Sequence, residues 1–329
     1  MTGRHILRKI LVKNLKKPIQ LLKFQVIVMT YRELLLLGEE RLASSNIFES
    51  KNDAWLLFEH CFQISRHEYI MKMNDSIDGE ETIKAYEEMI SLRCKHIPLQ
   101  HITGSQDFMG LTFKVNEHVL IPRQDTEILV DKVLTIVKKM SETKSVSDIC
   151  VLDMCTGSGC ISISISKLGN VSVTAVDISE KALNVAKDNA RLNEASNVSF
   201  VKSNLFDELK DNSTGNICNK YDIIVSNPPY IPSDVIEGLM PEVKDYEPRL
   251  ALDGTADGLE FYRNITNESV KYLKDGGYLL YEIGCEQAED VKNIMAAAGY
   301  ENIEVIKDLA GLDRVCLGNF AKKVDREDD

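Results

Sequence analysis

The alternation of strand and helix patterns between residues 149 and 319 constrains the fold of this 329-residue chain more than any other feature. Runs of β-branched and aliphatic residues predict strands at 149–154, 171–176, 197–201, 221–226, 277–283, 302–307 and 313–319. Helical periodicity predicts helices at 158–168, 179–192, 257–273 and 285–298. Strands that alternate with helices form a mostly parallel α/β sheet with helices on both faces. The short connection before the last strand predicts that the final pair is antiparallel.

The first third of the chain has a different character. Residues 29–96 predict a small helical domain, in which Asp53 and Asp78 are candidate N-caps. Residues 97–122 carry two glycines and the alternating sequence LTFKV, which predicts a hairpin linker to a main domain at 123–329. Residues 1–28 hold seven lysines and arginines and no acidic residue, and we expect this basic extension to lie outside the fold.

Charge and composition exclude several classes of function. The formal net charge is -12, and removing the seven basic residues of 1–28 leaves about -19, which disfavours non-specific binding to nucleic acid. No apolar run approaches the roughly 18 residues that a membrane span needs. The eight cysteines are scattered without a CxxC pair, so we predict free thiols in a reducing compartment and no metal site.

A turn of small residues, Cys155 to Gly159, follows the first strand of the main domain and leads into a helix. Little side-chain bulk allows a ligand to approach the backbone at the helix N-terminus. The turn lacks the Gly-Lys-Ser/Thr of a P-loop and the full GxGxxG of a dinucleotide site. It therefore predicts a binding site for a nucleotide-like ligand of another kind.

The ends of the next two strands carry further candidate ligand contacts. Asp177 ends the second strand, 18 residues after Gly159, where a carboxylate can accept hydrogen bonds from both hydroxyls of a ribose. The alternative role, N-cap of the following helix, suits Ser179 better. Asn204 and Leu205 follow the third strand, where an adenine edge could be held. Carboxyl ends of parallel strands share one edge of a sheet, so these residues are expected to meet there.

The fourth strand runs directly into Asn227-Pro228-Pro229-Tyr230. Asn227 offers a side-chain carbonyl, and Pro228 offers a backbone carbonyl on a rigid frame. Two fixed acceptors can hold both hydrogens of a planar NH2 group, and Tyr230 supplies a flat face beside it. With a ribose-binding acid and no pyrophosphate fingerprint, this tetrapeptide points to S-adenosylmethionine as cofactor and to an amide or base amine as methyl acceptor.

At these residues the chain resembles class I, Rossmann-like methyltransferases, and most closely the HemK/PrmC family of peptide chain release factor glutamine N5-methyltransferases. The matching segments are QHITGSQDFMGLTF, LIPRQDTEILV, VLDMCTGSGCISI, AVDIS, SNPPYIP, YEPRLALDG and LLYEIG, which cover 97–320 in family order. The resemblance implies a seven-stranded sheet with a small N-terminal helical domain. It also implies methylation of the glutamine in the GGQ motif of class 1 release factors.

The resemblance assigns roles to individual residues. It places Cys155, Thr156, Gly157, Ser158, Gly159, Asp177, Leu205 and Asn227 at the cofactor, and Asn227, Pro228, Pro229 and Tyr230 at the glutamine amide, with Asn227, Pro228 and Tyr230 as the catalytic set. Pro122, Arg123, Thr126 and Glu127 would form a pocket wall, and Glu247 and Arg249 a rim for the partner. Two departures are Cys155, where the family usually has glycine, and Leu205, where an aromatic residue is common.

Other functions stay open on the sequence alone. Glutamine methylation of a ribosomal protein is a near alternative, and adenine amino-methylation of nucleic acid is a more distant one, since it needs a surface that holds a polyanion. A cofactor-binding module without catalysis would not require the intact NPPY tetrapeptide. We expect a cytoplasmic monomer whose partner is a release factor, without nucleic acid or membrane, and a mitochondrial location only if 1–28 is a true leader.

Overall fold

The computed structural model describes residues 29–210 and 218–321, so the predicted basic extension at 1–28 lies outside the described residues. The chain divides into two compact units, the first ending at Ile90 and the second beginning at Ser91. No helix within the described ranges is long and apolar enough to cross a bilayer.

The first unit is helical. Its helices are α1 (Tyr31–Ser44), α2 (Ser50–Phe62), α3 (Arg66–Lys72) and the start of α4 (Glu80–Arg93). Thr30 caps α1 through a capping box with Glu33, which explains why this helix begins one residue later. Phe58 packs among Trp55, Phe62 and Tyr86 in the aromatic core of this unit.

The proposed N-cap at Asp53 is wrong. Helix α2 begins at Ser50 with Glu49 at the N-cap position, so Asp53 lies inside the helix and is buried. Helix α3, which is short and was not predicted, begins at a second capping box, formed by Ser65 and Glu68. Such local hydrogen bonding can define a helix that is too short for clear apolar periodicity.

The second unit begins with the end of α4 and contains the sheets. Its further helices are α5 (Leu99–Thr103), α6 (Thr126–Met140), α7 (Cys160–Gly169), α8 (Glu180–Leu192), α9 (Pro241–Lys244), α10 (Arg249–Leu252), α11 (Glu260–Ser269) and α12 (Ala288–Ala297). Its strands are β1 (Ser105–Phe108), β2 (Leu111–Lys114), β3 (Cys150–Met154), β4 (Ser172–Asp177), β5 (Val198–Lys202), β6 (Tyr221–Ser226), β7 (Leu273–Glu282), β8 (Tyr300–Lys307) and β9 (Asp313–Phe320).

Strands β3 to β9 form one seven-stranded sheet in the order β5-β4-β3-β6-β7-β9-β8. The strands from β5 to β7 run parallel, whereas β9 is antiparallel to both of its neighbours, as predicted for the final pair. The chain order reverses at β3, so the carboxyl ends of β3 and β6 flank the topological switch point where open α/β sheets bind ligands. The antiparallel hairpin β1–β2 lies within the predicted linker.

The opposite end of the sheet holds a buried carboxylate, Asp222 at the start of β6. It accepts hydrogen bonds from the amide of Cys150 at 2.8 Å and from the ammonium groups of Lys144 at 2.6 Å and Lys274 at 2.7 Å. Burial alone would raise the pKa of Asp222, but these hydrogen bonds outweigh it and lower the pKa. The contacts tie the amino ends of β3, β6 and β7 together.

We expect Asp222→Asn to lower the free energy of unfolding by about 1–3 kcal/mol at neutral pH, because an amide leaves both lysines without a countercharge. A lowered pKa in the folded state stabilises above the ordinary aspartate value, and this contribution is lost as the pH falls through the folded value. Urea unfolding should therefore show a difference between wild type and variant that narrows from pH 7 to acid. The exposed Asp148→Asn is the control, and a constant difference would contradict the expectation.

The prediction that all eight cysteines are free thiols is wrong for two of them. Cys150 and Cys218 form a disulfide across 68 residues, with their Cα atoms 6.4 Å apart. Cys150 opens β3 and Cys218 precedes β6, its parallel neighbour, so the sheet pairing brings the two residues together. This separation gives no local spacing signal in the sequence, and the other six cysteines are free.

Candidate active site at the carboxyl ends of the central strands

One cavity lies at the carboxyl ends of the parallel strands β3, β4, β5 and β6. It brings together most of the residues that the sequence singled out. Those that line it are Pro122, Arg123, Thr126, Cys155, Thr156, Gly157, Ser158, Asp177, Leu205 and Asn227, together with Asn204 and Pro229. Gly159, Pro228, Tyr230 and Glu127 are not among the lining residues.

The turn after β3 is shaped by residues with positive φ. Gly157 has φ +55°, and a Cβ built there would meet no heavy atom within 4 Å, so its backbone faces open space. Gly159, the N-cap of α7, has φ +81°, and a Cβ there would lie 2.9 Å from Ile163 Cδ1 and 3.1 Å from Ala186 Cβ. Gly159 therefore serves close packing of α7, while Gly157 lies at the cavity. Cys155 also adopts positive φ, +64°, which explains why glycine suits this position.

Asp177 closes this turn from the end of β4. Its Oδ2 accepts from the amide of Gly157 at 2.9 Å, and its Oδ1 accepts from the amide of Ser179 at 2.8 Å. Burial raises the pKa of Asp177, and the backbone hydrogen bonds oppose that rise. The N-cap of α8 is Ser179, whose hydroxyl accepts from the amide of Ala182, so the carboxylate at the cavity is not needed as a cap.

Behind the turn, Asp153 is fully buried on β3. Its Oδ2 accepts from the hydroxyl of Thr156 at 2.6 Å and from the amide of Ser162 at 3.1 Å. Burial raises the pKa of Asp153 to about 7, against these hydrogen bonds. The carboxyl group thus connects the turn to the first residues of α7.

Asn227 enters the cavity directly after β6. Its Nδ2 donates to the hydroxyl of Thr126 at 3.4 Å, which leaves the carbonyl oxygen Oδ1 on the other branch of the amide. Tyr230 is held more deeply: its hydroxyl donates to Glu282 Oε1 at 3.3 Å, and its carbonyl accepts from Gln287 Nε2 at 3.0 Å. Burial, chiefly, and the nearby Glu282 raise the pKa of the Tyr230 phenol, so it stays neutral.

Three of the four residues of the predicted pocket wall, Pro122, Arg123 and Thr126, line the cavity. Glu127 does not line the cavity; its carboxylate accepts from the amide of Met109 at 2.7 Å and fixes the turn between β1 and β2. Glu247 is also not an exposed rim residue, since it is 5% exposed and binds Arg123 Nη2 at 2.7 and 2.8 Å. Arg249 does remain at the surface, paired with Asp253. The sequence pattern alone could not predict that the side chains of Glu127 and Glu247 are bound to other parts of the protein.

Two site residues were missed by sequence reasoning. Glu282 ends β7 and is 2% exposed, and Gln287 holds the backbone of Tyr230. Glu282 did carry a signal, because a charged residue at the end of the apolar run LLYE is unusual for a buried strand. Gln287 lies in a polar stretch before α12 and gave no such signal.

The loop after the tetrapeptide packs tightly on Tyr230. Gly258 has φ +72°, and a Cβ there would overlap the carbonyl oxygen of Tyr230 and lie 2.7 Å from Gln287 Nε2. We expect Gly258→Ala to lower the free energy of unfolding by about 2–4 kcal/mol, from backbone strain plus overpacking. Gly311→Ala is the matched control, since Gly311 has φ +82° with no atom near a built Cβ. Equal losses in chemical denaturation would show that the contact with Tyr230 is unimportant.

The sheet order, with the small-residue turn after β3 and the acid at the end of β4, is the fold of class I, Rossmann-like methyltransferases. Among solved structures, the hMettl16 catalytic domain in complex with the MAT2A 3'UTR hairpin 6 shares this fold, with a TM-score of 0.50 and 16% identity. The similarity covers 74% of this chain and 84% of that structure.

Sequence comparison is more specific. A family model described as the PrmC N-terminal domain matches residues 33–104, and one described as ribosomal protein L11 methyltransferase (PrmA) matches residues 133–251. The release factor glutamine methyltransferase of Fusobacterium nucleatum is 41% identical over 83% of this chain and 74% of its own length. That of Clostridium acetobutylicum is 40% identical over 88% and 98%. The chain belongs to the release factor glutamine methyltransferase family.

Proposed function

We propose that this protein transfers a methyl group from S-adenosylmethionine to the side-chain amide nitrogen N5 of the glutamine in the GGQ motif of class 1 release factors. The observation that carries the proposal is a single cavity lined by the open turn, by Asp177 and by Asn227. One part of it suits an adenosyl group, and another presents fixed acceptors to an amide.

The donor is held by the turn and the strand ends. Asp177 accepts hydrogen bonds from the ribose, the backbone from Cys155 to Gly159 surrounds the amino-acid portion, and Leu205 packs at the adenine. The residues fit the group, because Gly157 leaves the backbone accessible where a side chain would otherwise fill the space. When bound, S-adenosylmethionine supplies an electrophilic methyl group on its sulfonium.

The acceptor is held by the tetrapeptide. Asn227 Oδ1, at the cavity, and the backbone carbonyl of the adjoining Pro228 accept the two hydrogens of the glutamine amide. Pro229 lines the cavity beside them, and Tyr230 is held outside the lining by Glu282. Fixing both hydrogens fixes the plane of the amide and the direction of the nitrogen lone pair. An amide nitrogen is a weak nucleophile, and the same two acceptors stabilise the positive charge that grows on it. The proton leaves after transfer, so these residues need no general base.

Surface properties support a protein partner. Arg249 and the apolar side chains of Val235, Met240 and Leu250 are exposed in the segment after the tetrapeptide, where a protein loop reaching the cavity would lie. The charge of about -19 after residue 28 disfavours nucleic acid as the substrate. We propose that the enzyme acts as a monomer in the compartment where translation terminates, the cytoplasm.

The test is tandem mass spectrometry of a purified class 1 release factor after incubation with this protein and S-adenosylmethionine. We expect one added methyl group, located on the side chain of the GGQ glutamine. The matched control is the same factor with that glutamine replaced by alanine, which should gain none. A methyl group on ribosomal protein L11 or on adenine-containing RNA, with none on the release factor, would overturn the proposal.

A further inference from the structure

Glu282 lies beside the tetrapeptide but does not line the cavity. Its two carboxylate oxygens have separate partners: Oε2 accepts from the hydroxyl of Thr126 at 2.5 Å, and Oε1 accepts from the hydroxyl of Tyr230 at 3.3 Å. Burial raises the pKa of Glu282, and the hydrogen bonds from Thr126 and Tyr230 oppose that rise, as does the charge of Arg314, which itself pairs with Asp125 and Asp308. Burying a carboxylate this deeply costs free energy of desolvation unless hydrogen bonds and opposite charges offset it.

The hydrogen bonds have a fixed direction. In its ionised form the carboxylate can only accept, and Thr126 then uses its single hydroxyl hydrogen for Glu282. Thr126 can then only accept from Asn227, which requires the NH2 branch of the Asn227 amide to face Thr126. The carbonyl branch is thereby turned away from Thr126. A flipped Asn227 would present its NH2 to the NH2 of a bound glutamine, and two donors cannot form a hydrogen bond.

We propose that Glu282 is a positioning residue that acts through Thr126 to fix the Asn227 amide with its carbonyl oxygen toward the methyl acceptor. The inference rests on the proposed function, since it concerns how the acceptor amide is oriented. In this three-residue relay, Glu282 fixes which way the Thr126 hydroxyl donates, and the Thr126 hydroxyl in turn fixes the orientation of the Asn227 amide. The second contact of Glu282 holds the Tyr230 ring, so one buried carboxylate fixes both polar ends of the tetrapeptide.

A neutral side chain of the same shape at position 282 no longer fixes which way the Thr126 hydroxyl donates. In Glu282→Gln the new NH2 can donate to Thr126, whose hydroxyl hydrogen is then free for Asn227, and the Asn227 amide flips to accept it. We expect kcat for release factor methylation to fall about 10–100-fold, while the Kd for S-adenosylhomocysteine changes less than about threefold. Circular dichroism and thermal unfolding would show that the variant is folded.

Variants of Thr126 test the relay independently of Glu282. Thr126→Ser keeps the hydroxyl and should retain kcat within about threefold, whereas Thr126→Val removes the hydroxyl and should lower kcat about 10–100-fold.

A double-mutant cycle separates positioning through Thr126 from a general structural role. If Glu282 acts through Thr126, then Glu282→Gln combined with Thr126→Val should be no slower than Thr126→Val alone. Multiplied losses in the double variant, or an unaltered kcat in Thr126→Val, would overturn the inference while leaving the proposed function intact. A wild-type enzyme that methylates no release factor would overturn the proposed function and the inference with it.

Discussion

Asn227→Ala is expected to lower kcat/KM for release factor methylation by about 10²–10³-fold, with the main effect in kcat. The variant loses the side-chain carbonyl that accepts from the glutamine amide and stabilises the positive charge that develops on its nitrogen. Pro228 retains the other acceptor, so a residual rate should remain. The measurement is steady-state transfer of a labelled methyl group to a release factor, beside thermal unfolding of each variant.

The matched control for this substitution is Asn264→Ala. Asn264 is exposed on α11 and is not among the residues that line the cavity, so its removal should leave the rate within about twofold. If Asn227→Ala stays folded and retains more than about a tenth of the wild-type rate, Asn227 does not hold the acceptor amide as proposed.

Asp177→Asn is expected to raise the Kd for S-adenosylhomocysteine about 10–100-fold, because hydrogen bonds to a charged acceptor become bonds to a neutral one. The single NH2 of the amide also turns toward the backbone N–H of either Gly157 or Ser179, which loses its acceptor. Isothermal titration calorimetry would measure the change.

Asp188→Asn is the control for cofactor binding. Asp188 lies on the adjacent helix α8, is largely exposed, and pairs only with Arg191 among the described residues. The Kd of the Asp188→Asn variant for S-adenosylhomocysteine should therefore match that of the wild type. An unaltered Kd in Asp177→Asn would mean that the ribose is held elsewhere in the cavity, and the proposed orientation of the donor would have to be reversed.

Much of the second unit could be predicted from the sequence, because backbone geometry sets the spacing of apolar residues in strands and helices and so indicates where each element lies. Strand β6 has the predicted bounds, and β4, β5 and β9 differ from theirs by one residue at the ends. The grouping of Asp177 and Asn227 followed from one rule, that parallel strands share a carboxyl edge. Here β-branched residues, turns and topology all favour the same arrangement.

Contacts between residues distant in sequence could not be predicted. The disulfide of Cys150 and Cys218, the ion pair of Arg123 with Glu247, and the bond between Thr126 and Glu282 span 68, 124 and 156 residues respectively. Such pairs depend on which loops fold back over the sheet. The periodicity of a single sequence reports local structure and does not predict those long-range contacts. The resemblance pointed to the segment around Thr126, but only the structure shows what the Thr126 hydroxyl contacts.

We propose that Asn227, at the cavity, and the adjoining Pro228 hold the acceptor amide beside the donor. The most direct measurement is a crystal structure of the protein with S-adenosylhomocysteine and a peptide that contains the GGQ sequence. We expect the glutamine side chain to enter the cavity with its nitrogen donating to Asn227 Oδ1 and to the Pro228 carbonyl, and the ribose to contact Asp177. A glutamine bound outside the cavity, or an amide whose oxygen faces Asn227, would contradict it.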